Sequence, residues 1–462
     1  MATIGFLSSE RSIAGPGFNR WLIPPAALMV HLSIGEVYAF SVFKNPLVER
    51  FGTGLTPIAI IFSISIVMLG LSAAVFGTWV ERAGPRAAMF TAALCWSGGF
   101  VVSALGVATT QLWLVYLGYG VLGGIGLGIG YISPVSTLIK WFPDRPGLAT
   151  GLAIMGFGGG ALIASPLSST LLGAYASNPV DAIVPSFLTL GAVYLVSMMI
   201  GAFVVRLPAE GWQPEGWTPP TEEETSDLQT TADVSASSSI RTPQFWMLWT
   251  VLFCNVTAGI GVLEQASPMI QDYFSGITAA AAAGFVGLLS LANMAGRITW
   301  SSTSDYIGRK PIYMVYLGVG LVLYFVLAAF GASSLVLFLL VTVVILSFYG
   351  GGFATIPAYL KDMFGVAEVG AIHGRLLTAW SCAGVAGPLI INAIADYQIA
   401  AGRTGADLYT LSLYIMVGVL AVGFVANLLV RPVDPRFHME SGSEREPEKE
   451  STASGQAAGS ES

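Results

Sequence analysis

Charged residues are scarce in this chain of 462 residues: they make up 10% of it, against 54% hydrophobic residues. Soluble domains carry about 25% charged residues, so the composition excludes an ordinary water-exposed globule. The mean hydropathy of +0.72 points the same way. Twelve membrane helices of about 20 residues would use about 240 residues, which leaves room for loops and tails. The composition is that of a polytopic membrane protein.

Cysteine is rarer still, with three residues that all lie inside apolar runs. This excludes a disulfide framework and a cysteine-based metal site. The chain has 20 basic and 27 acidic residues and no basic face of the kind that binds nucleic acid. It also lacks the phosphate-binding loop of ATP-driven pumps and any pairing of a nucleophile with a base. We therefore predict neither an enzyme nor a cofactor.

Apolar runs separated by polar breaks predict twelve helices in two sets of six. They fall near 21–43, 57–80, 87–107, 111–138, 147–174 and 182–205, and near 243–266, 278–300, 311–330, 333–358, 368–395 and 408–430. The polar stretches between and after the sets are rich in Pro, Glu, Thr and Ser, which is typical of disorder. The predicted organisation is a first six-helix bundle over 1–206, a disordered cytosolic linker over 207–240, a second bundle over 241–432 and a disordered cytosolic tail over 433–462.

The basic residues are distributed unevenly between the two sides of these helices. With both termini in the cytosol, seventeen fall on the cytosolic side, and three (Lys44, Arg50 and Arg403) fall on the outer side. The positive-inside rule then predicts cytosolic termini in a plasma membrane, the inner membrane of a bacterium. The lipid bilayer is thus one partner, and we expect the monomer to be the functional unit.

The two sets of helices repeat one another. Four pairs of landmarks are separated by 222 to 225 residues: Trp21 and Trp246, Pro46 and Pro268, Glu81 and Asp305, and Pro166 and Pro388. A constant offset with the same helix order predicts two bundles in parallel orientation around a central cavity, an arrangement found in many carriers.

Two loops carry a resemblance to a known family. The loop from Asp305 to Lys310 resembles the signature loop of the major facilitator superfamily, and residues 77–86 resemble its counterpart in the first bundle. The chain departs from the pattern at Glu81, where aspartate is usual, and at Ser301, where glycine is usual. We expect acids and bases of these loops to latch the inner helix ends and to release when the bundles rock, unless the bases only set the topology. The predicted gating residues are Glu81, Arg82, Arg86, Asp305, Arg309 and Lys310.

Within that superfamily the chain resembles the oxalate/formate antiporter family and the related monocarboxylate transporters. The stretches that carry this are 35–41, 124–131 and 140–160. The resemblance implies a major facilitator fold of twelve transmembrane helices, alternating access and a small organic anion as substrate. A non-transporting membrane sensor that keeps the carrier fold is the alternative from a different class.

Arg297 is the main candidate for binding that anion. It lies eight residues from Asp305, which is about 12 Å of helix and close to the midplane of a hydrocarbon core about 30 Å thick. A buried guanidinium is costly there, is usually functional, and can hold a carboxylate through two parallel hydrogen bonds. Asn293 lies one turn away on the same face and is predicted to contact the same ligand. The alternative is that Arg297 reaches the inner surface or pairs with an acid.

Four aromatic residues at similar depth are candidates for the wall of the cavity: Tyr131, Tyr349, Phe353 and Trp380. Tyr349 and Phe353 share one face of the tenth helix because they are four residues apart. The resemblance to bacterial lactate-type carriers implies substrate contacts at these positions. Singly, each aromatic residue is more often part of core packing than of a ligand wall, whereas the four together around Arg297 favour a ligand wall.

The number of central cations bears on the substrate. The resemblance to oxalate-type carriers implies a second cation inside the eleventh helix, but residues 376–394 contain no Lys or Arg and Trp380 occupies this region. One cation suits one carboxylate, so a proton-coupled monocarboxylate carrier is the first hypothesis. The second is exchange of a dicarboxylate for formate as counter-anion. In that case Arg375 is the second anion contact, provided that it does not point to the cytosol.

Two acids, Glu36 and Glu264, are candidates for coupling a proton to transport. They lie near the outer ends of the first and seventh helices, which are related by the repeat. A carboxylate in a low-dielectric site can hold a proton near neutral pH and release it when water enters. The alternatives are a structural hydrogen bond or a pair with Lys44 for Glu36, and exposure for Glu264. His31 lies five residues before Glu36 and is interpreted as a core or pore-lining residue.

Overall fold

Twelve helices, found within the residues that the computed structural model describes (5, 7–218, 228–230 and 232–439), are long and apolar enough to cross a membrane. The first bundle contains α1 (Arg20–Ala39), α2 (Leu55–Ala83), α3 (Pro85–Ala108), α4 (Leu112–Trp141), α5 (Pro146–Tyr175) and α6 (Pro179–Val204). The second contains α7 (Pro243–Tyr273), α8 (Ala279–Ile307), α9 (Arg309–Ser333), α10 (Leu335–Phe364), α11 (Val369–Ala400) and α12 (Asp407–Leu429). The protein is an all-helical integral membrane protein, as the sequence predicts.

Several helices are irregular at the level of the central residues. The last turn of α1 is a 3₁₀ helix over Gly35–Ala39, and a separate helix over Ser41–Phe51 follows it. A π-helical segment over Tyr116–Gly123 interrupts α4, and α11 breaks at Leu377. Such interruptions are frequent at functional sites. Here the break in α11 separates Arg375 from the part of the helix that carries Trp380.

The two bundles meet along helix pairs that the repeat relates to each other. In the described part of the chain, α2 packs against α11, and α5 packs against α8 and α10. Side chains of one bundle bind main-chain carbonyls of the other: the Thr150 hydroxyl donates to Ala354 at 2.8 Å, and the Ser381 hydroxyl donates to Ile66 at 3.0 Å. These contacts place α5, α8, α10 and α11 around the centre of the molecule.

The described parts of the linker lie at the end of the helices where the first and last described segments of the chain also lie, and we call this end the linker side. The amide of Leu207 donates to the Ser12 carbonyl at 2.7 Å, and the amide of Met439 donates to the Asp233 carbonyl at 2.7 Å. The Asp233 carboxylate accepts from the amides of Val366 and Ala367 at 2.7 and 2.9 Å. Hydrogen bonds thus hold both described ends of the segment that we predicted to be disordered. Residues 219–227, 231 and 440–462 of the predicted linker and tail lie outside the described residues.

Candidate functional site

Arg297 lies on α8 in the centre of the molecule and has no exposed surface. Its Nε donates to the Asn293 carbonyl oxygen at 3.0 Å, and its Nη1 donates to the Ile154 main-chain carbonyl on α5 at 3.1 Å. Its Nη2 is buried and has no hydrogen-bond partner among the described residues. Arg297 therefore neither reaches the surface nor pairs with an acid in that part of the chain. A buried cation is held with one nitrogen left over for a ligand.

Asn293 binds Arg297 directly, and its predicted contact with a ligand stays a prediction. Its amide oxygen faces Arg297 and accepts the Nε hydrogen, so Asn293 orients the guanidinium. With Nε and Nη1 both bound to the protein, a carboxylate reaches the cation at the Nη2 edge. This narrows the direction from which an anion can bind.

The glycine-rich face of α5 makes room for the guanidinium. A Cβ at Gly158 would lie 2.9 Å from the Nε of Arg297. Real Cβ atoms do not approach other heavy atoms so closely, so any other residue at this position would push the Arg297 side chain aside. The absence of a side chain at Gly158 lets α5 and α8 cross at the site while the cation stays between them.

All four predicted aromatic residues are buried next to the cation. The Arg297 guanidinium carbon lies 5.3 Å from the centre of the Phe353 ring. The Phe353 and Trp380 rings are 4.6 Å apart, and the Trp380 and Tyr131 rings are 5.5 Å apart. Tyr349 packs against Phe353 at 5.3 Å. The two bundles therefore contribute to one aromatic wall around Arg297, with Tyr131 from the first bundle and the other three from the second.

Polar atoms of this wall also lack partners. The Trp380 indole N–H is buried without a hydrogen-bond partner in the described part of the chain. The buried hydroxyls of Tyr131 and Tyr349 make no close hydrogen bond there, although they lie near Arg297 and Tyr38, respectively. Arg297 is close enough to act electrostatically on both hydroxyls. Buried polar groups normally find partners, so this concentration of unpaired donors around one cation marks a site that an anion can complete.

Sequence reasoning missed three residues of this centre, Tyr38, Phe157 and His373, and the Tyr38 ring on α1 lies 5.2 Å from that of Phe157. The Phe157 ring on α5 lies 5.4 Å from Tyr131 and 5.3 Å from Trp380 and closes the wall. The His373 ring on α11 lies 5.9 Å from Tyr131, is buried, and has neither nitrogen hydrogen-bonded among the described residues. Phe157 belongs to the glycine-rich stretch that carried the resemblance. Its depth in the membrane, which was the criterion for choosing Tyr131, would also have indicated Phe157.

The structure leaves Arg375 apart from this wall. It is half-buried on the segment Val369–Leu376, which packs against α2, and its Nη1 is buried with no hydrogen-bond partner in the described residues. No contact joins it to Arg297 in that part of the molecule. Its assignment as a second anion contact stays a prediction.

Glu36, one of the two predicted proton-coupling acids, does not join the central set either. Glu36 is fully buried, and its carboxylate accepts a hydrogen bond from the Tyr119 hydroxyl at 2.9 Å rather than pairing with Lys44. Tyr119 in turn packs against Trp96 and Phe100, so Glu36 faces an aromatic cluster inside the first bundle. Glu264 lies on α7, and its side chain is outside the described part of the structure.

The predicted gating acids cross from one bundle to the other at the linker side. The Asp305 carboxylate accepts from the amides of Gly147 and Leu148, in the first turn of α5, at 2.8 and 2.9 Å. The Glu81 carboxylate accepts from the amide of Gly370, in the first turn of α11, at 2.9 Å. Each carboxylate also meets the positive end of a helix dipole. We call these two contacts the linker-side latches.

The predicted gating bases stay within their own bundles. Arg309 is buried between Asp305, at 2.6 Å, and Asp362, at 3.0 Å. Lys310 donates to the Val430 carbonyl at 2.8 Å. Arg82 is exposed, and Arg86 is buried at the start of α3. The bases thus support the loops, while the acids hold the bundles together.

Taken together, the central residues form a buried candidate site around one cation, closed on the linker side. The latches and the α2–α11 and α5–α8 contacts block the path from the linker side to Arg297. No group of three metal-binding side chains occurs in the described ranges.

Comparisons with known proteins agree with this picture. A family model described as Major Facilitator Superfamily matches residues 26–357 and 265–459. The chain is 28% identical to the oxalate:formate antiporter of Oxalobacter formigenes over 378 residues, which are 82% of this chain and 85% of the antiporter. It is 28% identical to human monocarboxylate transporter 11 over 204 residues, 44% of this chain and 41% of that protein.

A solved structure shows the same fold. The proton:xylose symporter XylE, bound to 6-bromo-6-deoxy-D-glucose, has a TM-score of 0.68 and 13% identity, covering 88% of this chain and 94% of XylE. Transporters of this superfamily move small molecules across membranes together with a co-substrate. The family model spans most of the chain, and the two six-helix bundles meet around a central site. The chain therefore belongs to the major facilitator superfamily and is a membrane transporter, not an enzyme.

Proposed function

We propose that this transporter carries small monocarboxylates, such as lactate, pyruvate or formate, together with a proton. It works by alternating access in a plasma membrane, with its termini in the cytosol. The observation that carries the proposal is the buried Arg297 guanidinium, whose Nη2 has no hydrogen-bond partner in the described part of the chain. The similarity to proteins named for oxalate, formate and monocarboxylates supports an anionic substrate.

Electrostatics links substrate binding to movement of the bundles. An unpaired charge buried away from water costs several kcal/mol, so a site that holds only Arg297 resists complete closure. A bound carboxylate neutralises the guanidinium and gains charge-assisted hydrogen bonds. The loaded site can therefore be occluded and passed to the other side more readily than the empty one.

The wall around Arg297 favours one carboxylate with a small, mainly apolar remainder. Phe353 and Trp380 offer ring surfaces, while the Tyr131 and Tyr349 hydroxyls offer hydrogen bonds to a second oxygen of the substrate. A single buried cation balances a single negative charge. These features support a monocarboxylate over a dicarboxylate.

Exchange of a dicarboxylate for formate is the second candidate. The observation that favours it is Arg375, whose Nη1 is buried without a hydrogen-bond partner in the described residues. If Arg375 moves toward the centre when the bundles rock, two cations face one dicarboxylate. The named substrates of the antiporter relative fit this alternative.

Uptake of labelled lactate and labelled oxalate into proteoliposomes, with and without an inward proton gradient, separates the two candidates. We expect lactate uptake that the gradient stimulates, and we expect Arg297→Ala to abolish it. The matched control is Arg403→Ala, which removes an exposed arginine paired with Asp407 and should leave uptake unchanged.

The opposite pattern would support exchange. Oxalate uptake that requires internal formate, ignores the proton gradient and is lost in Arg375→Ala would reject the monocarboxylate proposal. Full lactate uptake by Arg297→Ala would remove Arg297 from the site.

A further inference from the structure

His31 on α1 is held between two main-chain carbonyl groups. Its Nδ1 lies 2.8 Å from the Ala153 carbonyl oxygen on α5, and its Nε2 lies 3.1 Å from the Tyr131 carbonyl oxygen on α4. The side chain has no exposed surface. Both nitrogens of one imidazole therefore face hydrogen-bond acceptors in a dry part of the protein.

This geometry is satisfied by only one protonation state. A neutral imidazole has one N–H and one lone pair, whereas the imidazolium has two N–H groups. In the neutral ring, one carbonyl oxygen faces a nitrogen lone pair at hydrogen-bond distance, and that contact is repulsive. In the imidazolium, both carbonyls accept a charge-assisted hydrogen bond. The pocket is thus built to accept a second proton on His31.

Burial disfavours any charge on His31, and positive charge at the transport site adds to that opposition. The Arg297 guanidinium on α8 acts electrostatically on His31, and His31 in turn acts on His373 of α11. Tyr131 on α4 faces the ring at 5.3 Å between centres, and α5 presents the Ala153 carbonyl. On α6, Tyr194 faces Glu36 instead. The cations that compete with a proton on His31 are therefore Arg297 and any charge on His373.

We propose that His31 is the residue that carries the coupled proton, which it binds when an anion neutralises Arg297. The inference rests on the proposed function, because it identifies the proton site of an anion–proton symporter. Anion binding removes the charge that opposes the imidazolium, and the imidazolium attracts the anion in return. Such coupling is reciprocal: each ligand strengthens the binding of the other by the same factor.

Glu36 is placed less well for this role. Its carboxylate binds Tyr119, and the groups acting on it belong to the aromatic cluster of the first bundle. The ring of His31 instead touches Tyr131, which is part of the wall around Arg297. Compared with Glu36, His31 combines two carbonyl acceptors that suit the protonated ring with an electrostatic link to Arg297.

The test compares two kinds of lactate transport in proteoliposomes for wild type, His31→Gln, Glu36→Gln and His438→Gln. Gradient-driven uptake needs a coupled proton, whereas exchange of internal for external lactate needs no net proton movement. We expect His31→Gln to lose at least tenfold in driven uptake and to keep exchange. His438→Gln, which changes a histidine at the linker side, and Glu36→Gln should keep both.

Proton uptake measured in weakly buffered detergent solution gives a second readout. Wild type should take up protons when lactate binds at mildly acidic pH, where its affinity for lactate should fall as the pH rises. His31→Gln should take up none and show a flat profile. The inference would be overturned if His31→Gln kept driven uptake, or if it lost driven uptake and exchange together. Loss of driven uptake in Glu36→Gln but not in His31→Gln would also overturn it. Absence of lactate exchange in the wild type would instead reject the proposed function.

Discussion

At the scale of single residues, the site depends on how Arg297 is held. Two of its nitrogens are bound by Asn293 and the Ile154 carbonyl, and the third faces the aromatic wall without a partner in the described residues. A guanidinium fixed in this way loses little further freedom when it binds a carboxylate. Asn293 therefore contributes to affinity without needing to touch the ligand.

Replacing Asn293 by alanine should weaken substrate binding. The change leaves the Nε of Arg297 without its acceptor, at a cost of about 1.4 kcal/mol, so we expect the KM for lactate to rise about tenfold. Uptake kinetics in proteoliposomes give the measurement. Asn392→Ala, which removes an exposed amide bound to Gln265, is the control, and an equal rise there would count against the role of Asn293.

The Phe353 ring should contribute to the same affinity by another route. Phe353→Leu keeps an apolar side chain but removes the ring beside the Arg297 charge, an interaction worth about 1 kcal/mol. Because the ring helps to hold the guanidinium in place and fills the space beside it, we expect the affinity for lactate to fall threefold to fivefold. Binding calorimetry on wild type and variant tests this, and an unchanged affinity would mean that the ring only packs.

The residues of the site differ in how well the sequence predicts them. Arg297 is predictable because a cation at mid-membrane depth is expensive and can be located by counting from the Asp305 loop. The position of His373 beside the site and the acceptors around His31 are not predictable, because they depend on how α4, α5 and α11 pack against one another. Asn293 was predicted to be near the ligand, but no pattern shows which end of an amide faces the arginine.

At the scale of helices, the close crossing of α5 and α8 controls the site. Gly158→Ala should abolish lactate uptake and leave the protein folded, because the new Cβ would lie 2.9 Å from the Nε of Arg297 and displace only that side chain. Gly173→Ala on the same helix places its Cβ in open space and is the matched control. Uptake and thermal stability of both variants are the measurements. Normal uptake by Gly158→Ala would show that the guanidinium has another position available.

The latches should set how firmly the linker side closes. Asp305→Asn removes the carboxylate that accepts from the amides of Gly147 and Leu148. Hydrogen bonds to charged groups contribute about 1.5–3 kcal/mol each, so we expect hydrogen exchange of these amides to rise at least tenfold. Exchange mass spectrometry follows the first turn of α5. The control is Asp407→Asn, which removes an exposed acid, and equal exchange in both variants would mean that the latch is weak.

Helix lengths follow from the sequence better than helix interruptions do. The predicted run 368–395 corresponds to α11, because a long apolar stretch has little alternative in a bilayer. The break at Leu377 has no recognisable pattern in the sequence, because it depends on the packing of α11 against α2 and α7. The partners of Asp305 and Glu81 were likewise unpredictable, because a main-chain amide looks the same at every position of a sequence.

At the scale of the whole molecule, the distribution of basic residues predicts which side faces the cytosol. Arg436→Cys and Arg403→Cys place single cysteines at exposed positions on opposite sides of the membrane, in a chain whose three cysteines are replaced by alanine. With a membrane-impermeant maleimide on intact cells, we expect labelling at 403 and none at 436 until the cells are opened. The reverse pattern would invert the predicted topology.

The overall architecture was the most predictable level. Landmarks at a constant offset indicated two similar bundles, and the helix pairs α2–α11 and α5–α8 meet across the interface as such a repeat requires. The segment 207–240 was less predictable, because its acidic composition favours disorder while Asp233 binds main-chain amides of the α10–α11 turn. The composition of a segment indicates how well it is solvated on average. It does not show that one carboxylate, that of Asp233, binds main-chain amides.

The latches also have a genetic consequence. Across the interface each acid is matched, among the described residues, only by main-chain amides, because its basic partner (Lys140 for Glu81 and Arg309 for Asp305) lies in its own bundle. At Gly370, a Cβ would lie 2.2 Å from the Glu81 carboxylate, which leaves no room for a compensating side chain. Glu81→Lys should therefore have no charge-swap suppressor at position 370. Revertants selected for restored transport should regain an acceptor at position 81.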